Sequence, residues 1–367
     1  MPEDASDLRI IHVLRDVTMR GSGIVNVAVD LACTQRALGN EVWVVSEGGK
    51  YEALLEDYGV HHVAIEHRSS PASFVGAVSA LDRVVRDSRP DIVHAHMMTA
   101  ALLARAVRFR RRFGLVTTVH NSWQRGSSAM MVGDRVIAVS EAVADDLRRR
   151  RLRSKRIRVV LNGPLASPRS GFGSGDHPPE LKRPSIVTVA GMYERKGIGD
   201  LIDAFAIVRR AGVDAHLYLV GDGPDREIFK KRAEVAGVAA HTHFELFQPR
   251  PQDYLSQADV FVLASHADPN PLVVPEARME GCAIVASNAG GMIEALDGGR
   301  AGHIFPAGDV AALSEALLRI IKDPAERARL QIAARQGIAW LTVDRMTLDT
   351  IRVYEELLID KLPRSSS

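Results

Sequence analysis

Short, continuous apolar runs alternate with amphipathic stretches along the chain. In the first half the runs are Arg9–Leu14, Glu41–Ser46, Asp91–His96, Leu115–His120, Arg135–Ser140 and Ile157–Asn162. A strand wet on one face alternates apolar and polar residues. Runs without that alternation predict strands covered on both faces, as in a parallel sheet between helices. The segments between them fit helices. Ile24–Leu38 is stopped by Gly39, and a second helix opens on a Ser140 cap with acids in its early turns. Strand–helix alternation of this length predicts a doubly wound α/β domain over residues 1–162.

The pattern breaks at Gly163–Pro184, 22 residues with five Pro, four Gly and three Ser, which reads as a mobile linker. It then resumes with Ser185–Ala190, Ala215–Val220, His241–Phe244, Val260–Ala264 and Ala283–Ser287 as strands, predicting a second α/β domain over 185–341. Thr342–Ile359 reads as a last helix, with the segment 342–367 expected to pack back on the first domain and Pro363–Ser367 to fray. Two such domains are expected to face a central cleft. Ligands of open α/β sheets bind beyond the carboxyl ends of the strands, so the chemistry is sought in the loops after strands.

Composition narrows the class. Hydrophobic residues are 46 % and charged residues 25 %, the balance of a globular chain, and no apolar run reaches the length of a membrane span. The opening residues are acidic and polar, unlike a secretory signal, and Cys33 and Cys282 lie far apart in predicted helical context. A reducing cytoplasm is the expected location. The net charge of +2 hides an asymmetry. Residues 1–180 hold 25 Lys+Arg against 20 Asp+Glu, and the rest 22 against 25. Two basic runs, Arg105–Arg112 and Arg148–Arg158, fall in the first half. Such runs are usually solvated faces; here they are also candidates for a reversible contact with an anionic membrane or a polyanionic acceptor. Near-zero net charge and the lack of a reader motif argue against nucleic acid.

Several loops carry candidate chemistry. Gly21 and Gly23 precede the helix Ile24–Leu38, where backbone N–H groups and the helix dipole could meet a phosphate; the bland reading is a flexible loop. Gly221, after the strand Ala215–Val220, opens a tight turn with Pro224 suited to a first helical position; a ligand contact there is the alternative. Lys196 sits at the predicted start of the helix Gly197–Arg210. A cation is disfavoured at that end, which makes sense if an anion docks there. Asp268 and Glu276 lie eight residues apart, the second after Pro275 at the predicted start of a helix to Gly281. Their carboxylates suit vicinal hydroxyls, and Asn270, Leu272 and Val273 between them are candidates for contact with the same ligand. The bland reading is a turn cap and a dipole partner. His120 ends a strand and could meet sugar hydroxyls, or be a surface histidine; His94 and His96, at another strand end, share the two readings. No metal site is expected, because no His/Cys/Asp/Glu cluster has ligand spacing.

Taken in order, Pro90–His96, Thr118–Asn121, Val136–Glu141, Val159–Gly163, Gly191 with Lys196 and Gly197, Val220–Pro224, Glu276–Gly281, Ala289–Glu294 and Gly302 with Asp309 resemble the retaining glycosyltransferases of family 4, with the GT-B fold, over nearly the whole chain. The resemblance implies that Gly21 and Gly23 lie over the diphosphate of a nucleotide sugar and that His120 contacts the sugar near the reacting carbon. Lys196 would neutralise the diphosphate, Asp268 would touch the sugar and Glu276 would bind the ribose. Gly290, Gly291 and Glu294 would line the donor. Three positions depart from the family pattern. Met192 stands where an arginine is usual, with Arg195 as its substitute. Asp268 replaces a glutamate, and Pro164 follows Asn162-Gly163.

The expected activity is transfer of a sugar from a nucleotide diphosphate sugar to a hydroxyl of a glycan, lipid-linked or small-molecule acceptor, with retained configuration and without a cofactor or metal. No second carboxylate is placed as a nucleophile for double displacement. A nucleotide-sugar-binding protein without transfer activity is the alternative. A nicotinamide dehydrogenase is disfavoured, because no GxGxxG directly follows a strand.

Overall fold

The computed structural model describes residues 7–19, 22–66, 71–121, 127–150, 152–172 and 179–361. They form two compact units, Met1–Ser170 with Thr342–Ser367, and Gly171–Leu341.

The first unit is built on β1 (Arg9–Val13), β2 (Glu41–Ser46), β3 (His61–Ala64), β4 (Ile92–Ala95), β5 (Gly114–Val119), β6 (Arg135–Ala138) and β7 (Ile157–Val159), in the sheet order β3-β2-β1-β4-β5-β6-β7. All its pairings are parallel. One face packs Ile11, Val13, Val93, Ala95, Leu115, Val119 and Val136 into an apolar core. The opposite face carries His12, His94 and Thr118, all buried, since side chains alternate along a strand. The helices Gly23–Ala37 and Val343–Lys361 pack together, and the second also lies against β5. The helix Glu141–Arg149 is capped as its sequence predicts, with the Ser140 hydroxyl accepting from the Val143 N–H at 3.3 Å.

The second unit has β8 (Ser185–Val189), β9 (His216–Val220), β10 (Thr242–Glu245), β11 (Val260–Leu263), β12 (Ala283–Ser287) and β13 (His303–Phe305), in the order β10-β9-β8-β11-β12-β13, again parallel. Strand residues split between two cores by the two-residue alternation. Ile186, Leu217, Leu219, Val260, Val262 and Val285 enter one, and Val187, Tyr218, Val220, Phe261, Leu263 and Ile284 the other. Both faces are covered, as the unbroken apolar runs predict. The strand order reverses between β8 and β11, the switch point where such sheets take ligands.

The structure corrects four expectations. Strands β3 and β13 were not expected; both lie at sheet edges, are short and mix histidine with apolar residues. The ends of the supposed linker are packed. In the first unit Leu165 bridges Thr342, and Arg169 forms a bidentate pair with buried Asp30, both bonds 2.9 Å. In the second, Leu181 is buried and the Lys182 N–H donates to the Tyr218 hydroxyl at 2.7 Å. Cys282 is not helical: it follows Gly281, which ends the helix Val273–Glu280 in the left-handed conformation. Both thiols are buried and free, and burial pushes each up to about 12. Pro224 precedes the helix Arg226–Val235 rather than opening it, because Asp225 is its cap.

Candidate active site

In the second unit three loop tips at the carboxyl ends of β8, β11 and β12 lock together. After β8 the chain makes a 3-10 turn, Glu194–Lys196, and Gly197 follows at φ 65° as cap of the helix Ile198–Arg210. A Cβ at Gly197 would lie 1.9 Å from the Ala264 carbonyl oxygen, so only glycine lets this loop reach the end of β11. The His266 N–H donates to the Arg195 carbonyl at 2.9 Å, and the His266 ring meets Asp200 at 2.5 Å. Gly290, at φ 60°, repeats the device after β12: its Cβ would lie 1.8 Å from the Asp268 carbonyl oxygen. That carbonyl accepts from the Gly291 N–H at 3.0 Å.

Into this knot the Lys196 ammonium and the Asp268 carboxylate point at each other, 2.5 Å apart and largely buried. Lys196 therefore does not open a helix, as expected, but ends the 3-10 turn, and the anion that balances it is Asp268. The Ser265 hydroxyl, fully buried just past the end of β11, has no hydrogen-bond partner among the described residues. Asn270, Leu272, Val273 and Glu276 continue the Asp268 loop into the helix Val273–Glu280. This helix starts two residues earlier than expected, with Leu272 as its cap and Pro275 tolerated inside the first turn. Glu276 remains in that first turn. Glu294 lies in the short helix Met292–Ala295 after Gly291. Gly221 takes φ 137° and packs its Cα against the Ala190 carbonyl, which accounts for it as a turn. Arg195 stacks its guanidinium over Tyr193, 5.4 Å from the ring centroid, while Met192 is buried in the core.

The first unit holds a second constellation, in which His12 and Gln35, which no sequence signal marks, join the candidate residues His94, His96 and His120. The register pairs His12 with His94, and alternation places His96 and His120 on the same face. His12 Nδ1 lies 2.9 Å from His96 Nε2, and His12 Nε2 lies 2.7 Å from Gln35 Oε1. His96 Nδ1 lies 3.3 Å from His120 Nε2. His94 reaches the Tyr354 hydroxyl and the Thr118 hydroxyl, both at 2.6 Å. Burial pushes the pKa of His12 down to about 4 and that of His120 to about 3, although the residue His120 is only partly buried. His94 and His96 fall well below the ordinary value for the same reason. All four rings are neutral at neutral pH.

His12, His94 and His96 are close enough to share an ion, contrary to the expectation that no such cluster exists. All six of their ring nitrogens are already engaged by neighbouring side chains. A second cluster, Asp214, His216 and His241, lies at the amino ends of β9 and β10, where Arg209 holds both Asp214 and His241. A guanidinium there opposes a cation. Gly23 is the first residue of the helix Gly23–Ala37, with Ser22 as cap, and Gly21 lies outside the described residues.

Much of the two basic runs is spent internally. Arg108 pairs with Asp134, Arg111 with Asp82, Arg150 with Asp146 and Arg158 with Glu356. Arg110, Arg112, Arg149, Arg153 and Lys155 face solvent, as does Phe109 at 78 % exposure. No helix among the described residues is long and apolar enough to cross a membrane.

Comparison with known proteins agrees with this anatomy. Residues 21–163 match the family Glycosyltransferase Family 4, and residues 174–337 match Glycosyl transferases group 1. The glycogen synthase of Mycobacterium tuberculosis is 29 % identical over 294 residues, covering 71 % of this chain and 68 % of that protein. The phosphatidyl-myo-inositol mannosyltransferase of Mycobacterium leprae is 26 % identical over 358 residues, 91 % and 92 % of the two chains. Among solved structures, a glycosyltransferase from Rickettsia africae superposes with a TM-score of 0.80 at 17 % identity, covering 98 % of this chain and 100 % of that one. Anabaena HepE in complex with UDP and glucose superposes at 0.79 and 18 % identity, covering 95 % and 100 %. With the two family matches side by side along the sequence and two Rossmann-like units beneath them, the chain belongs to the GT-B glycosyltransferases of family 4.

Proposed function

We propose that the chain transfers a sugar from a nucleotide diphosphate sugar to an acceptor hydroxyl with retention of anomeric configuration. The observation that carries this reading is the Lys196–Asp268 pair at the switch-point loops of the second unit. An ammonium held by a single carboxylate keeps donor capacity for phosphate oxygens, and Asp268 with Glu276 supplies acceptors for sugar hydroxyls. In this reading the donor's anomeric C–O bond breaks and the acceptor oxygen bonds to the same face of that carbon. The departing diphosphate oxygen takes the acceptor's proton. Lys196 and backbone N–H groups at helix starts meet the charge that develops on the leaving group, and His120 contacts the sugar. No metal is needed where a protein cation fills that role, so activity should survive a chelator.

Relatives that act on phosphatidyl-myo-inositol or in lipopolysaccharide core biosynthesis support a lipid-linked or glycan acceptor. With such an acceptor, the exposed arginines of the two basic runs would attach the protein reversibly to an anionic inner membrane face. Cosedimentation with anionic but not neutral vesicles tests the attachment. A thermal-shift screen across UDP, GDP, ADP and their sugars tests the donor, because a bound nucleotide stabilises by mass action. Turnover of the stabilising nucleotide sugar, with the product's anomer read by NMR, tests the reaction. Donor binding with no turnover on any acceptor would favour a binding protein instead.

A further inference from the structure

The hydrogen bonds that end on His120 run in one direction. Gln35 Nε2 donates to the Tyr354 hydroxyl at 3.4 Å, and Gln35 Oε1 faces His12 Nε2 at 2.7 Å. An amide oxygen only accepts, so His12 carries its hydrogen on Nε2. His12 is fully buried and neutral, which leaves Nδ1 as a lone pair. That lone pair meets His96 Nε2 at 2.9 Å, so His96 donates from Nε2 and keeps a bare Nδ1. The bare Nδ1 lies 3.3 Å from His120 Nε2, which must then donate. The Tyr354 hydroxyl, which accepts from Gln35, also meets His94 Nδ1, and His94 Nε2 meets the Thr118 hydroxyl. One carboxamide therefore anchors both branches. No hydrogen bond from the described residues reaches His120 Nδ1.

We propose that Gln35, His12 and His96 are positioning residues that hold His120 as its Nε2–H tautomer, so that Nδ1 accepts a hydrogen bond from a substrate hydroxyl. The second clause rests on the reading that His120 meets the sugar or the acceptor; the first does not. Such a relay makes the bound hydroxyl a donor toward His120 and leaves that oxygen's lone pairs for other partners. It also explains why a face otherwise suited to an apolar core buries three imidazoles and a tyrosine hydroxyl with their polar atoms satisfied.

The test uses the full chain labelled with 15N-histidine. Two-bond proton–nitrogen correlation spectra separate the two neutral tautomers, and His120→Asn identifies the His120 signals by their loss. The wild-type protein should show His120 with its hydrogen on Nε2 alone. Gln35→Leu should convert it to a mixture, whereas Gln35→Glu, which still offers His12 an acceptor oxygen, should keep the single tautomer. A wild-type His120 protonated on Nδ1 overturns the relay. So does an unchanged tautomer in a folded Gln35→Leu. If Gln35→Leu does not fold, the wild-type spectrum decides. Turnover of the stabilising nucleotide sugar by His120→Asn is a separate measurement: a wild-type rate overturns the substrate contact, and the spectra still decide the relay.

Discussion

Lys196 and Asp268, 72 residues apart in sequence, form an ion pair with Nζ 2.5 Å from Oδ2, and only 6 % of Asp268 is exposed. Removing the lysine strands a buried carboxylate as well as deleting the proposed phosphate partner. Stability and activity can be separated by two variants. Lys196→Ala should lower both the melting temperature and kcat/KM, the latter by about 10–100-fold if the lost contact contributes about 1.5–3 kcal/mol. The double variant Lys196→Met/Asp268→Asn should recover part of the melting temperature without recovering turnover. Wild-type kcat/KM in Lys196→Ala would remove the phosphate role.

Gly290 is held at φ 60° with the Asp268 carbonyl 1.8 Å from where a Cβ would stand. Gly290→Ala must move the loop that carries Asp268. A cost of about 2 kcal/mol is expected, seen as a melting temperature lower by roughly 4–8 °C, together with weaker nucleotide binding. Unaltered melting and binding would mean that the loops are not locked as described.

The buried histidines set a pH dependence with a definite sign. In the unfolded chain His12 titrates near 6.5; in the folded protein it does so at about 4. As pH falls through 6.5 the unfolded state takes up the proton first. Folding stability is therefore complete above pH 6.5 and declines toward pH 4. For His12 alone the loss between pH 6.5 and 5 is roughly 2 kcal/mol. His94, His96 and His120 shift in the same direction. Melting curves at pH 7.5 and 5.0 should show the drop, and His12→Gln should shrink it. Equal stability at the two pH values would contradict neutral, buried rings.

Arg278 is fully buried and donates to the carbonyls of Ala334, Ala295 and Gln336 at 3.0, 2.7 and 2.6 Å. It ties the helix bearing Glu276 to two neighbouring segments. Arg278→Leu should cost about 3 kcal/mol or more, because two buried carbonyls and a third nearer the surface lose their donor, and should lower the melting temperature by roughly 6–12 °C. A loss below about 2 °C would mean that these carbonyls find other partners.

Fold class was legible because buried parallel strands leave unbroken apolar runs, and eleven of the described strands were read from them. Strands β3 and β13 were not, since His61–Ala64 and His303–Phe305 are too short and polar to stand out from loop. The Gly163–Pro184 composition hid packed ends, because Arg169 and Leu181 owe their order to partners far away in sequence. The same holds for the candidate site. Loop position marked Lys196, Asp268 and Glu276, yet the pairing of Lys196 with Asp268 depends on the register between strands. His12 and Gln35 carry no motif: the alignment of β1 with β4 sets His12 beside His94, and the helix Gly23–Ala37 brings Gln35 to His12.

The helix Val343–Lys361 belongs to the first unit, so the second unit is an insertion within it. On the ribosome all of residues 171–341 emerges before Tyr354, whose hydroxyl completes the partners of His94 and Gln35. The half of the protein that is made first thus cannot complete its buried histidine network until the last helix has been made.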